Sequence, residues 1–141
     1  MKYTTQEILE ACNSMCKNTL METLNIEIID VGEDYLIAQM PVNPSVHQPE
    51  GVLHGGATVA LAESAGSFAA HIFMDPEKYI LRGIEISANH VRSVKEGMIY
   101  ARATFIHKGR TTQLFDIKIT DEEERLISYC KLTTISLPKS K

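Results

Sequence analysis

The segment of residues 57–73 limits more than any other feature how this chain can fold. It is rich in alanine, and as a helix it is apolar on nearly every side. A helix without a polar face is buried, because a surface helix turns polar side chains toward water. We therefore predict a central helix over residues 54–74 that is packed closely by a sheet. Its one acidic residue, Glu63, requires an explanation, because burying a carboxylate is costly unless it is paired or used.

Elements on both sides of this helix predict an α+β fold. A capping box at residues 4–7 begins an amphipathic N-terminal helix within residues 1–23, which should end between Asn18 and Thr23. The links between the last four predicted strands are short and polar, so these strands should be consecutive antiparallel neighbours. We expect a single domain, residues 1–141, with an antiparallel sheet wrapped around the central helix. The predicted strands are residues 26–31, 35–42, 79–94, 98–107, 111–120 and 125–137, and residues 43–53 form a loop.

Two of these strands alternate apolar with polar residues, which indicates that one face of the sheet is buried. His90 lies at the end of one of these two strands and is either a buried core histidine or a pocket residue. The two sets are Ile84, Ile86, Ala88 and His90 in one strand, and Phe115, Ile117 and Ile119 in the other.

Composition and charge exclude several classes of partner. A net charge of −4 and a pI near 5.7 argue against nucleic acid, because a phosphate backbone requires a basic face. No apolar run approaches the ~18 residues of a membrane helix and no leader pattern is present, so we expect a cytoplasmic protein without a membrane partner. The odd number of cysteines, three, indicates reduced thiols. No histidine pair has the spacing of metal ligands, so no metal is expected.

The loop before the central helix carries the motif with the most specific chemistry. Residues 47–57 read HQPEGVLHGGA, and Glu63 follows eight residues after Gly55. This pattern resembles the signature of hotdog-fold acyl-CoA thioesterases over residues 20–137. It is most similar to the branch that holds the 4-hydroxybenzoyl-CoA, 1,4-dihydroxy-2-naphthoyl-CoA and enterobactin proofreading enzymes. The pairing of Gln48 with Glu63 narrows the branch, because the phenylacetate-pathway relatives carry Asp at the acidic position.

The same residues suit thioester hydrolysis on chemical grounds. The reaction needs donors for the developing oxyanion and a group that activates or supplies the nucleophile. The Gly55 N–H at the start of a helix is a candidate donor, because it lies at the positive end of the helix dipole. Glu63 is a candidate general base, or a nucleophile that forms an anhydride. Alternatively, the glycines only fit a tight junction and Glu63 pairs with a histidine or arginine.

Four further residues near the motif are candidates for roles in the site, and the resemblance supports those of Gln48 and His90. Gln48 would orient the thioester or the carboxylate, and His54 would orient the loop. Ser67, one helical turn after the acid, would hold the attacking water, although it could simply pack. His90 would line the pocket.

Coenzyme A is expected only as part of the substrate, with no separate cofactor. Its phosphates need local positive charge, because the chain as a whole is acidic. We predict that the turn of Lys108, Gly109 and Arg110 supplies this charge, with Arg92 as a second candidate.

The spacing of Gly55 and Glu63 bears on the quaternary structure. Eight residues of one helix separate their backbones by roughly 12 Å, yet both groups must reach the same reacting atoms. A homodimer with two shared sites resolves this difficulty, and the resemblance implies pairing of such dimers into a tetramer. The function that we predict is an acyl-CoA thioesterase. Alternatives are a hotdog dehydratase, an acyl-carrier-protein thioesterase or a non-catalytic acyl-CoA binding protein, and the acyl group is not indicated.

Overall fold

The computed structural model describes residues 2–141 and has an α+β architecture. One long helix, α3, lies across one face of an antiparallel sheet of six strands, and a shorter helix, α1, packs against β1. The helices are α1 (Thr5–Met15), α2 (Leu20–Thr23) and α3 (Gly55–Phe73). The strands are β1 (Glu27–Val31), β2 (Tyr35–Val42), β3 (Tyr79–His90), β4 (Gly97–Lys108), β5 (Thr112–Thr120) and β6 (Leu126–Pro138).

The strands follow the order β1-β2-β4-β5-β6-β3 across the sheet. The predicted neighbours β4–β5 and β5–β6 are confirmed, but the prediction that β3 is a neighbour of β4 was wrong, because β3 pairs with β6. After β3 the chain does not turn back. Val91 donates to the Ile127 carbonyl (2.9 Å), and the Val94 carbonyl accepts from Leu53 (2.7 Å). The link therefore crosses the end of the sheet toward the loop before α3.

The sheet approaches α3 most closely at Gly66. A Cβ atom there would lie 2.5 Å from Leu132 Cδ2, so the small residues of the helix have the predicted packing role. The expectation that the helix is buried on every side was wrong, however. A stripe along α3 that includes Glu63, Ser67 and His71 is only partly buried. The acid therefore lies on the open side of the helix and not within the core.

The N-terminal helix is shorter than predicted, although its capping box is confirmed. Thr4 Oγ1 accepts from the Glu7 N–H (3.2 Å) and Glu7 Oε2 accepts from the Thr4 N–H (2.7 Å). The helix ends at Met15, and Asn18 then takes a left-handed φ of 58° that a continuing helix does not allow. Asn13 ties α1 to the sheet, because its side-chain amide both donates to and accepts from the Ile28 backbone (2.8 Å each).

The buried face of the sheet was predicted correctly for β5 and incorrectly for part of β3. Phe115, Ile117 and Ile119 are fully buried. In β3, the register shifts between Gly83 and Glu85. This bulge places Ile84 outside the pairing, and 56% of its surface is exposed.

The three cysteines are free and buried, as predicted. Over residues 2–141, no helix has the length and apolar character needed to cross a membrane. Across the same residues, no group of three or more potential metal ligands comes together.

Candidate active site

The start of α3 is held by His54. The ring Nδ1 of His54 accepts a hydrogen bond from the Gly56 N–H (2.7 Å), and the backbone N–H of His54 donates to the Val46 carbonyl (2.8 Å). Because Nδ1 is an acceptor, the proton of the neutral ring lies on Nε2. His54 is therefore the N-cap of the helix and fixes the path of the loop.

Gly55 presents a free donor at this helix start. Its N–H meets no acceptor within the described chain, and it points outward at the positive end of the helix dipole. The ring of His90 lies against it, so that a Cβ atom on Gly55 would be 2.9 Å from His90 Nε2. Only glycine leaves room for this ring. Contact with His90, and not just the tight junction between loop and helix, therefore explains why position 55 is a glycine.

Ser128 fixes the orientation of the His90 ring. The hydroxyl of Ser128 donates to the Asn89 carbonyl (3.2 Å), so it accepts from His90 Nδ1 (2.9 Å). In the neutral ring Nε2 is then unprotonated and faces Gly55. His90 is exposed, and it lines a pocket instead of lying in the core.

A pocket of about 370 Å³ opens beside this helix start. Four of the predicted site residues line it together: Gln48, Gly55, His90 and Arg92. Gln48 lies in a tight loop, where its side-chain Oε1 accepts from the Glu50 N–H. The side-chain Nε2 of Gln48 has no acceptor among residues 2–141, and a bound carbonyl or carboxylate could accept from it.

Glu63 lies elsewhere in the same chain. Its carboxylate makes no hydrogen bond or ion pair with any residue from 2 to 141, which argues against a structural pairing with histidine or arginine. Glu63 Oε1 lies 2.7 Å from the point where Gly83 would carry a Cβ atom. Gly83 and Ser67 line a second pocket, of about 270 Å³, which shares no lining residue with the first. Glu63 is absent from the residues that line the pocket at Gly55, so one chain does not bring the predicted acid to the predicted oxyanion donor.

The turn of Lys108, Gly109 and Arg110 lies near the other end of α3. Lys108 Nζ is 5.5 Å from the ring centroid of Phe73, the last residue of the helix. The Gly109 carbonyl accepts from the buried side chain of Gln113 (3.0 Å), which steadies the turn. Arg110 is exposed and forms no salt bridge in the described part of the chain. The turn and Arg92 therefore lie at opposite ends of α3, and one chain does not bring them together.

Sequence reasoning did not single out two residues at this site. An isolated glycine within a strand is a recognised sign that another group approaches the backbone closely. Gly83 is such a glycine, and Glu63 occupies the space beside it. Ser128, which orients His90, lies in an ordinary alternating strand and carries no distinguishing signal. Only the pairing of β3 with β6 places it next to the histidine.

The long helix wrapped by an antiparallel sheet has the architecture of the hotdog fold, and the free N–H at its start and the unpaired acid two turns later are the groups predicted for a thioesterase. The chain belongs to the Thioesterase superfamily, whose family model matches residues 50–128.

Individual relatives agree with this assignment over nearly the whole chain. A 1,4-dihydroxy-2-naphthoyl-CoA hydrolase from Escherichia coli is 43% identical, covering 92% of this chain and 94% of that protein. The proofreading thioesterase EntH from Cronobacter turicensis is 42% identical, with 89% and 91% covered. A crystal structure of a thioesterase from Haemophilus influenzae has a TM-score of 0.89 at 43% identity, with 92% and 90% covered. The chain is a thioester hydrolase.

Proposed function

We propose that the protein hydrolyses acyl-CoA thioesters to a free acid and coenzyme A, at sites shared between two copies of the chain. Glu63 of one copy would act with Gly55 and Gln48 of the other. The observation that carries this proposal is that Glu63 does not line the pocket at Gly55 and lies instead beside Gly83. The choice of a CoA ester over an acyl-carrier-protein ester rests on relatives that are named as CoA thioester hydrolases. A CoA substrate would in turn favour a cytoplasmic location.

The open surfaces of the chain favour such a pair. The partly buried stripe of α3 runs past Glu63 and Ser67. Strand β3 lies at one edge of the sheet and exposes Ile84 and Ile80 there. An exposed, apolar edge strand is a ready surface for pairing with another copy. Two-fold pairing along β3 would run the α3 helices antiparallel and bring Gly55 of one copy toward Glu63 of its partner. Family resemblance suggests that two such dimers form a tetramer.

The chemistry would divide between the two copies. The substrate carbonyl would accept a hydrogen bond from the Gly55 N–H, and the helix dipole would stabilise the oxyanion as it forms. Glu63 would either take a proton from the attacking water or attack the carbonyl itself, giving an anhydride that water then hydrolyses. In both routes the C–S bond breaks and the thiolate of coenzyme A leaves. Gln48 Nε2 would orient the thioester or the carboxylate, and Ser67 would hold the water.

The CoA phosphates would be bound by exposed cations. Lys108 and Arg110 lie on a turn that the Gln113 hydrogen bond steadies, and Arg92 lies in the pocket beside Gly55. No metal or other cofactor enters the proposed reaction.

Mixed dimers test the shared site. Glu63→Ala and Gln48→Ala would each impair a different half of both sites. When the two variants are unfolded and refolded together in equal amounts, half of the dimers would carry one intact site. Activity should then recover to about a quarter of wild type if pairing is random and the sites are independent. Recovery no greater than the sum of the parents, with mixed dimers verified by mass, would show that each site lies within one chain. If Gln48→Ala is too active a parent, Gly55→Leu replaces it.

A further inference from the structure

An apolar groove with a volume of about 670 Å³ lies between α1 and the end of α3. Its walls are mostly hydrocarbon, and Lys2, Glu7 and His71 also line it. The apolar side chains that line the groove include Tyr3, Ile8, Ala11, Met15, Ile72 and Pro76.

This groove is adjacent to the pocket that Ser67 and Gly83 line near Glu63. His71 and Pro76 line both cavities. The pocket also contains Ser67 and Gly83, the glycine that contacts the Glu63 carboxylate. Along α3, Glu63, Ser67 and His71 follow one another at intervals of four residues and so lie on one face. The two cavities are therefore adjacent at His71, on the helix face that also carries the proposed reacting acid.

The position of α1 keeps the groove open. Asn13 anchors the helix to β1 through two hydrogen bonds with Ile28, and Cys12 is buried against the core. The groove side of α1 stays uncovered by the rest of residues 2–141, with Met15 54% exposed and Tyr3 58% exposed. An apolar surface of this kind is a recognised sign of a binding site.

We propose that this groove binds the distal part of a long, unbranched acyl chain, so that the substrates are long-chain acyl thioesters. The inference rests on the proposed function for the position of the thioester beside Glu63. The eight residues from Glu63 to His71 correspond to roughly 12 Å of helix. An extended alkyl chain with C–C bonds of ~1.5 Å advances about 1.3 Å per carbon. About nine carbons therefore fill the path to His71, and the carbons beyond them enter the groove.

A series of acyl-CoA substrates from C6 to C16, kept below the concentration of micelle formation, tests this assignment. Each methylene that enters the groove from water should raise kcat/KM about fourfold, so the wild type should gain steadily from C10 to C14. Ala11→Trp places an indole in the groove and should abolish that gain while C6 and C8 esters react as in the wild type. Gln6→Trp is the matched control, because Gln6 is exposed on the opposite side of α1 and pairs only with Glu10. It should keep the wild-type dependence on chain length.

Binding of non-hydrolysable S-alkyl-CoA thioethers, measured by calorimetry, separates this inference from the proposed function. S-dodecyl-CoA should bind the wild type and Gln6→Trp more tightly than S-hexyl-CoA, and Ala11→Trp should lose the difference. If this difference in binding is observed but no thioester is hydrolysed, the assignment of the groove to the acyl chain is supported and the proposed reaction is refuted.

Hydrolysis with no gain between C10 and C14, or the same gain in both tryptophan variants, would overturn the groove assignment alone. Should Ala11→Trp fail to fold, Met15→Trp, one turn further along α1, blocks the same groove and carries the same expectations. A second copy that fills the groove would make chain length irrelevant and would change the oligomeric mass of the blocking variants. This result too would overturn the assignment.

Discussion

The contact between Gly83 and Glu63 allows the position of the carboxylate to be changed without removing it. In Gly83→Ala, the new Cβ atom would lie 2.7 Å from Glu63 Oε1, whereas ordinary contacts begin at 3.4 Å. The carboxylate must therefore move by at least about 0.7 Å. A displacement of about 1 Å in a reacting group can cost ~10²-fold in rate, so we expect kcat to fall by about 10- to 100-fold.

Protein stability should change little in this variant. The carboxylate is the free end of a flexible side chain and can move at low cost. Gly83 does not take a positive φ, and the next neighbour of the new methyl group, Leu132 Cδ1, is at an ordinary 3.5 Å. The free energy of unfolding should therefore stay within about 1 kcal/mol of the wild-type value, because alanine also restricts the unfolded chain.

Steady-state kinetics with thiol detection, together with thermal unfolding, measures both quantities. Ser87→Ala, an exposed substitution in the same strand, is the control and should leave both unchanged. In the Glu63→Ala background, Gly83→Ala should have no further effect on kcat, because the displaced group is already absent. A folded Gly83→Ala variant with wild-type kcat, or an equal loss in both backgrounds, would show that the position of Glu63 does not set the rate.

Four further expectations follow from the described contacts. Glu63→Gln should have the wild-type unfolding temperature but a kcat that is lower by several orders of magnitude in a thiol-release assay. Near-full activity of this variant would show that Glu63 is not catalytic. Arg110→Ala should raise KM for CoA esters much more than for short thioesters without the nucleotide, and equal effects would exclude phosphate binding. Burial raises the pKa of the Cys12 thiol to about 11, with a smaller contribution from Cys16, so a thiolate reagent at pH 8 should label this thiol only after denaturation; rapid labelling of the folded protein would contradict this. Hydrogen bonds from the Thr4 backbone and side chain lower the pKa of Glu7 below its ordinary 4.5, so its stabilising contribution is complete above that pH and is lost as pH falls through the lower folded value. The loss of stability on acidification should therefore be smaller in Glu7→Gln, as measured by urea unfolding at pH 7 and pH 3.

The sequence predicted the elements of the fold better than their arrangement. Local signals, such as the turn between β4 and β5 or the capping box at Thr4, depend on neighbouring residues and were interpreted correctly. The partner of β3 was not, because residues 91–94 were predicted to continue that strand up to a short link, whereas their hydrogen bonds with Ile127 and Leu53 direct the chain across the end of the sheet. Contacts between residues distant in sequence decided that step.

The candidate site shows the same division. The loop motif predicted that Gln48 and Gly55 would meet, and the structure places them around one pocket with His90. The openness of the helix beside Glu63 was not predicted, because an alanine-rich segment looks apolar on every side whichever faces the sheet covers. Nor did any local pattern indicate that Ser128 would fix the histidine ring, since the two residues are 38 positions apart in the chain.

The two hydrogen bonds between Asn13 and Ile28 have a consequence for how many chains can join. A sheet normally offers two growing ends, and repeated addition at both would yield a fibre. Here the Asn13 amide occupies backbone groups on the outer side of β1, so β1 is partly closed to further strands. Strand β3 stays open, and in the proposed two-fold pair of chains each end of the combined sheet would be a β1 strand that Asn13 partly covers. A single asparagine on each chain would thus hinder the addition of further strands at both ends of such a sheet.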